Sequence, residues 1–147
     1  MLYEKMIKTQ IYRLLRKEKW SLLVLLSAIA AAVMFVAPTK DICSEVNKCI
    51  LAGDAQQLSK YFHSTVEMSV LGKEGYFSKV QAVSILSEFF KNNPPKSFSV
   101  KQGGSNSETT KFSIGTYESA SASFKIYYVV KKEQDNESIH KLTIEKK

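Results

Sequence analysis

Between Ala122 and Lys131 the chain alternates without interruption. Ala122, Phe124, Ile126, Tyr128 and Val130 fall on one side, and Ser123, Lys125, Tyr127, Val129 and Lys131 on the other. A period of two sustained this long fits a strand and no helix, and one apolar face backed by a mixed one fits a sheet covered on a single side. Shorter stretches repeat the pattern. Phe98 and Val100 alternate with Ser99 and Lys101, Phe112 and Ile114 point one way in the next segment, and Leu142 and Ile144 face the core near the end. The separators are Gly103-Gly104-Ser105-Asn106-Ser107, a turn near Ser119, and the polar run from Glu133 to Asn136. Everything after Pro95 therefore reads as antiparallel sheet of four strands.

Upstream the period changes. Asp41 suits an N-cap for a helix whose stripe of Ile42, Val46, Cys49 and Ile50 ends near Leu51, and Gly53 suits its stop. Asp54 with Gln57 resembles a capping box for a second short helix with Leu58, Tyr61 and Phe62 inward. Thr65 to Leu71 alternates as a half-buried strand, with Val66, Met68 and Val70 on one face. Gly72 and Gly75 mark a turn, and Ser78 with Gln81 opens a helix bearing Ala82, Val83, Leu86, Phe89 and Phe90 that ends at Asn92-Asn93-Pro94-Pro95. The predicted order is ααβαββββ, an α+β architecture in which helices cover one face of a curved antiparallel sheet.

Residues 1–39 are of another kind. Basic residues from Lys5 to Lys19 precede Trp20 to Ala37, which carries no charge. That is the pattern of a secretory signal, with Ala30-Ala31-Ala32 as a cleavage match after Leu22 to Ile29. As a helix the apolar run is roughly 27 Å long, just short of the hydrocarbon core, so a retained N-terminal membrane anchor is the alternative. Either way the reading is export to the periplasm or cell envelope, with one domain over 40–147 and membrane contact only through the leader. Of the net charge of +7, the leader holds more than half. The remaining domain is mildly basic without a concentrated patch, which argues against a nucleic-acid partner. Cys43 and Cys49 on one helix stand about 9 Å apart along its axis, too far for a disulfide. Their spacing matches no metal or redox motif, and no cofactor is implied.

The run Ala52-Gly53-Asp54-Ala55 through Leu58-Ser59-Lys60-Tyr61-Phe62, then Lys73-Glu74-Gly75, Ser78-Lys79, Gln81-Ala82, Phe89-Phe90, Asn93-Pro94-Pro95, Phe98 and Ile114-Gly115-Thr116, resembles a family of small exported bacterial proteins called domain of unknown function 4783. The resemblance spans about Ile42 to Glu145 and implies a cone similar to nuclear transport factor 2 and ketosteroid isomerase. It brings no function with it. Where the family often has a His before the glycine-containing loop, this chain has Gln102.

Cones of this kind host enzymes and binding modules alike, so the residues must decide. If the last strand is regular, His140 shares parity with Leu142 and Ile144 and joins Tyr128, Phe124 and Gln102 around a small apolar ligand. A strand-end His140 reaching water is the plainer account. His63 reads as a helix-end residue facing the dipole, and Glu67 has outer-face parity. Phe98, Phe112 and Phe124 are the rings that would fill a closed interior. Tyr127 and Val129, beside Lys125, form an outer strip suited to a homodimer through the sheet face. The two functions in competition are a non-enzymatic binding or interaction module, and an isomerase- or dehydratase-like enzyme using His140, Tyr128 and Glu67. The leader makes its own prediction: N-terminal sequencing of mature protein should begin near Val33, whereas an intact Met1 in the membrane fraction would establish the anchor.

Overall fold

Three capped helices and six strands follow from Asp41 onward. The computed structural model describes residues 3, 4, 6–8 and 41–147, and Lys40–Lys147 forms one compact unit. The leader reading, signal or anchor over 1–39, lies outside the described residues. No helix among the described residues is long and apolar enough to cross a membrane.

Helix α1 (Ile42–Ala52) begins where the Asp41 carboxylate accepts from the Ser44 amide, and it ends at Gly53, whose φ of 65° is left-handed. Its buried stripe is Ile42, Val46 and Ile50, with Cys43 and Cys49 half-buried beside it as free thiols. Helix α2 (Ala55–Ser59) is capped by Asp54, which accepts from Gln57 N at 2.8 Å. The Gln57 side chain accepts from Lys60 instead of closing a box. Helix α3 (Lys79–Asn92) has both halves of its box, Ser78 Oγ accepting from Gln81 N and Gln81 Oε1 accepting from Ser78 N. It buries Ala82, Leu86, Phe89 and Phe90.

The strands are β1 (Phe62–Val70), β2 (Lys73–Ser78), β3 (Pro95–Ser107), β4 (Thr110–Ser119), β5 (Ser123–Glu133) and β6 (Asn136–Lys146). The order along the chain is ααββαββββ, one strand more than predicted. Leu71 (φ 50°) and Gly72 (φ 89°) alone make the turn. Gly75 sits inside β2, opposite Met68, so the second glycine belongs to the hairpin and not to a loop. Strand β1 also starts earlier than its alternation suggested, and Phe62 and His63 lie on it and not on a helix.

Along the sheet the order is β2-β1-β6-β5-β4-β3. Every pair is antiparallel except β1 with β6, which run parallel. Edge strand β3 changes register against β4 three times, between Pro95 and Ser97, Val100 and Gln102, and Ser105 and Ser107.

Register fixes the two faces. Under the helices lie the rows Tyr117–Phe124, Gly115–Ile126–Ile144 and Ser113–Tyr128–Leu142. On the other face lie Ile114–Tyr127–Thr143, Phe112–Val129–Lys141 and Thr116–Lys125–Glu145. Phe112 and Ile114 thus face away from the core, contrary to the reading of Phe112 as a filler of the interior. The inner side of β4 carries the small residues Ser113 and Gly115 before Tyr117, and at Gly115 the space is taken by a neighbouring ring. An added Cβ on Gly115 would stand 2.4 Å from the Phe98 ring. Sorting β4 by side-chain size therefore gives the wrong face.

The core is anchored by aromatic contacts and two hydroxyls. Phe89, Phe90, Tyr117 and Phe124 pack with ring centroids 5.1 to 6.1 Å apart. Tyr117 donates to the carbonyl of Asn93, the residue that ends α3. Tyr128 donates to Asn47 Oδ1 (2.8 Å) and Cys43 O (3.2 Å), holding α1 to the centre of the sheet. Burial pushes the Tyr117 hydroxyl up to about 12 and the Tyr128 hydroxyl higher still, so both remain donors throughout the ordinary pH range.

Two substitutions test this packing. Tyr128→Phe keeps the ring and removes both bonds to α1, and should cost about 1 to 2 kcal/mol in urea unfolding. Gly115→Ala forces its methyl onto the Phe98 ring and the Ser99 carbonyl, and should cost about 1 to 3 kcal/mol by overpacking. A stable Gly115→Ala protein would mean that the Phe98 ring yields freely.

Candidate functional site

The interior named by strand parity is occupied by the protein itself. Phe124 and Tyr128 are buried at 2% and 0% exposure, and the Tyr128 hydroxyl is already bound to α1. Gln102 is exposed on β3, paired with Ile114 of the face away from the helices.

His140 is displaced by an irregularity. Val129 pairs with Lys141, but the next residue, Val130, pairs with Ile139, so His140 is the extra residue of a bulge. A bulge reverses the alternation on one side of it. Ile139 takes the buried position, and His140 emerges on the opposite face from Tyr128. The predicted convergence of His140 with Tyr128 does not exist.

What the bulge does produce is a cluster around His140. The neighbouring stretch of β1 is irregular too: its pairing with β6 jumps from Phe62–Ile139 to Glu67–Lys141. His63 lies in that stretch, and its ring stacks on His140 with centroids 4.3 Å apart and planes 23° from parallel. Glu133, at the end of β5, reaches both rings. Its Oε2 is 3.7 Å from His63 Nε2 and its Oε1 is 3.5 Å from His140 Nε2. Glu133 precedes Gln134, whose φ of 56° makes the sharp reversal into β6.

The environment of the two imidazoles differs. His63 Nδ1 lies 3.3 Å from the Thr65 carbonyl and 3.4 Å from the Ser64 hydroxyl, while its Nε2 is the nitrogen nearer Glu133. The Ser138 hydroxyl approaches His140 Nε2 at 3.3 Å. Burial holds the His140 imidazole below its usual value, repulsion from His63 and Lys131 adds to this, and Glu133 opposes it. His63 was read as facing a helix dipole, but as a β1 residue it faces His140 instead. The chain has only two histidines, and both are in this cluster. That count was the available signal, and the parity of a regular strand hid it.

Beside the cluster the uncovered face continues. Glu67, Tyr76, Val129, His140 and Lys141 line a hollow of about 420 Å³. Glu67 is ion-paired with Lys141 at 2.7 Å. Lys125 pairs with Glu145 at 3.0 Å at the far side of the apolar rows. Tyr127 and Val129 lie between these pairs, next to Ile114 and Phe112.

Residues 43–145 match the family described as "Domain of unknown function (DUF4783)". A DUF4783 family protein from Bacteroides uniformis is 26% identical with a TM-score of 0.69, over 73% of this chain and 98% of its own. One from Bacteroides ovatus is 29% identical with a TM-score of 0.67, over 71% and 94%. An NTF2-like protein of unknown function from Shewanella baltica shares the fold at 10% identity and a TM-score of 0.56, over 71% and 87%. No curated protein matches the sequence. The chain belongs to the DUF4783 family, and its α+β fold is NTF2-like.

Proposed function

We propose that this is an exported envelope protein whose folded domain is a non-enzymatic interaction module, self-associating through the uncovered face of its sheet. The observation that carries the reading is the apolar group Phe112, Ile114, Tyr127 and Val129 on that face, assembled from two adjacent strands by register. It is flanked by Lys141–Glu67 on one side and Lys125–Glu145 on the other. A surface with an apolar centre and both signs of charge at its rim is self-complementary under a two-fold axis, as an isologous dimer requires. The basic leader and its apolar run support export. The rival reading, an isomerase- or dehydratase-like enzyme acting on a small apolar substrate in the cone, needs His140, Tyr128 and an open interior together. His140 and Tyr128 lie on opposite faces of the sheet, and the inner rings pack on one another.

Tyr127→Lys places a charge at the centre of this face while leaving the helix-covered side untouched. It should raise the dissociation constant for self-association at least tenfold, a loss of about 1.4 kcal/mol or more, without unfolding the domain. Sedimentation equilibrium of parent and variant measures this, and a parent protein that is monomeric at high concentration would sink the idea.

A further inference from the structure

We propose that His63, Glu133 and His140 form a binding site for a first-row divalent cation of the zinc class, with two imidazole nitrogens and one carboxylate as ligands. One ligand atom from each residue lies within 4.8 Å of the other two. Donors about 2.1 Å from a tetrahedral ion stand roughly 3.4 Å from one another. Glu133 Oε1 is 3.5 Å from His140 Nε2 and Oε2 is 3.7 Å from His63 Nε2, so each imidazole already has one carboxylate oxygen near that separation. The two rings, stacked with centroids 4.3 Å apart, must turn toward a common point for both nitrogens to reach one ion.

Three further features point the same way. The Thr65 carbonyl stands 3.3 Å from His63 Nδ1 while Nε2 is the nitrogen nearer Glu133, the kind of outer contact that orients a metal-binding imidazole. The group is built by two coincident irregularities, in β1 and in β6, and bulges recur where a sheet re-aims a side chain for a task. Both of the chain's histidines are used, although they come from opposite ends of the domain. Two imidazoles and a carboxylate suit zinc, and they leave a coordination position for water or an exogenous ligand. Lys131, whose charge disfavours a charged His140, would also oppose a cation bound there. The site is independent of the self-association reading, since it needs only one chain.

The test is equilibrium dialysis of the untagged full chain against Zn²⁺, in a Cys43→Ser, Cys49→Ser background so that the thiols cannot compete. One zinc per chain is expected, with affinity falling at least tenfold in His63→Ala, His140→Ala and Glu133→Gln. Zinc should also raise the melting temperature of the parent and not of the variants. Glu133→Gln changes an exposed side chain without altering its shape, so its result stands even if a histidine variant folds poorly. The absence of saturable binding, or one-to-one binding that Glu133→Gln and His63→Ala leave unchanged, overturns the assignment.

Discussion

The parallel pairing of β1 with β6 is the constraint on which the rest of the molecule depends. It joins the β1–β2 hairpin, which comes early in the chain, to a meander of four strands that comes last. Without it the inner faces of β1 and β5–β6 would not form one surface for α1 and α3 to cover. The pairing brings together residues far apart in sequence, whereas the other ladders join strands adjacent in the chain. Its loop-closure entropy is correspondingly larger, so the last strand completes the fold and does not merely extend it. The same junction is where register slips, and the slip carries His63 and His140 to a common point.

The helix-covered side and the open side divide the chemistry between them. On the covered side nearly every polar group is spoken for: Tyr117 bonds the end of α3 and Tyr128 bonds α1. These contacts are structural, because a buried hydroxyl with a satisfied partner fixes position and offers nothing to a ligand. The open side holds the imidazole pair, the ion pairs and the apolar group. Its ion pairs are exposed and worth little to stability. Their arrangement matters for which surface can face it.

Much of the fold was legible from periodicity and end signals. The caps at Asp41, Asp54 and Ser78 and the long alternation of β5 appear in the structure where the sequence puts them. The failure at the candidate site has one cause. Alternation assigns a face only while register holds, and it breaks at His140, so the candidate ligand pair of His140 and Tyr128 was separated by the sheet itself. Size misled in β4 for a related reason, since Gly115 is small in order to admit Phe98 from the neighbouring strand. Neither a bulge nor a borrowed ring leaves a mark in the local pattern. The His63–Glu133–His140 cluster draws on three strands at once, β1, β5 and β6, and could not be read from any one of them.

The broken register of β3 limits how copies of this domain can meet. A long edge strand with regular unpaired amides invites another strand to add to it, and repetition of that step leads to open-ended growth. Here the edge begins at Pro95 and shifts against its neighbour three times, while the opposite edge, β2, is only six residues long and carries Lys73 and Glu74 at its start. Both ends of the sheet are therefore poor templates for extension. An isologous contact through the face, as proposed, would close on itself after two copies, giving a finite particle and not a fibre.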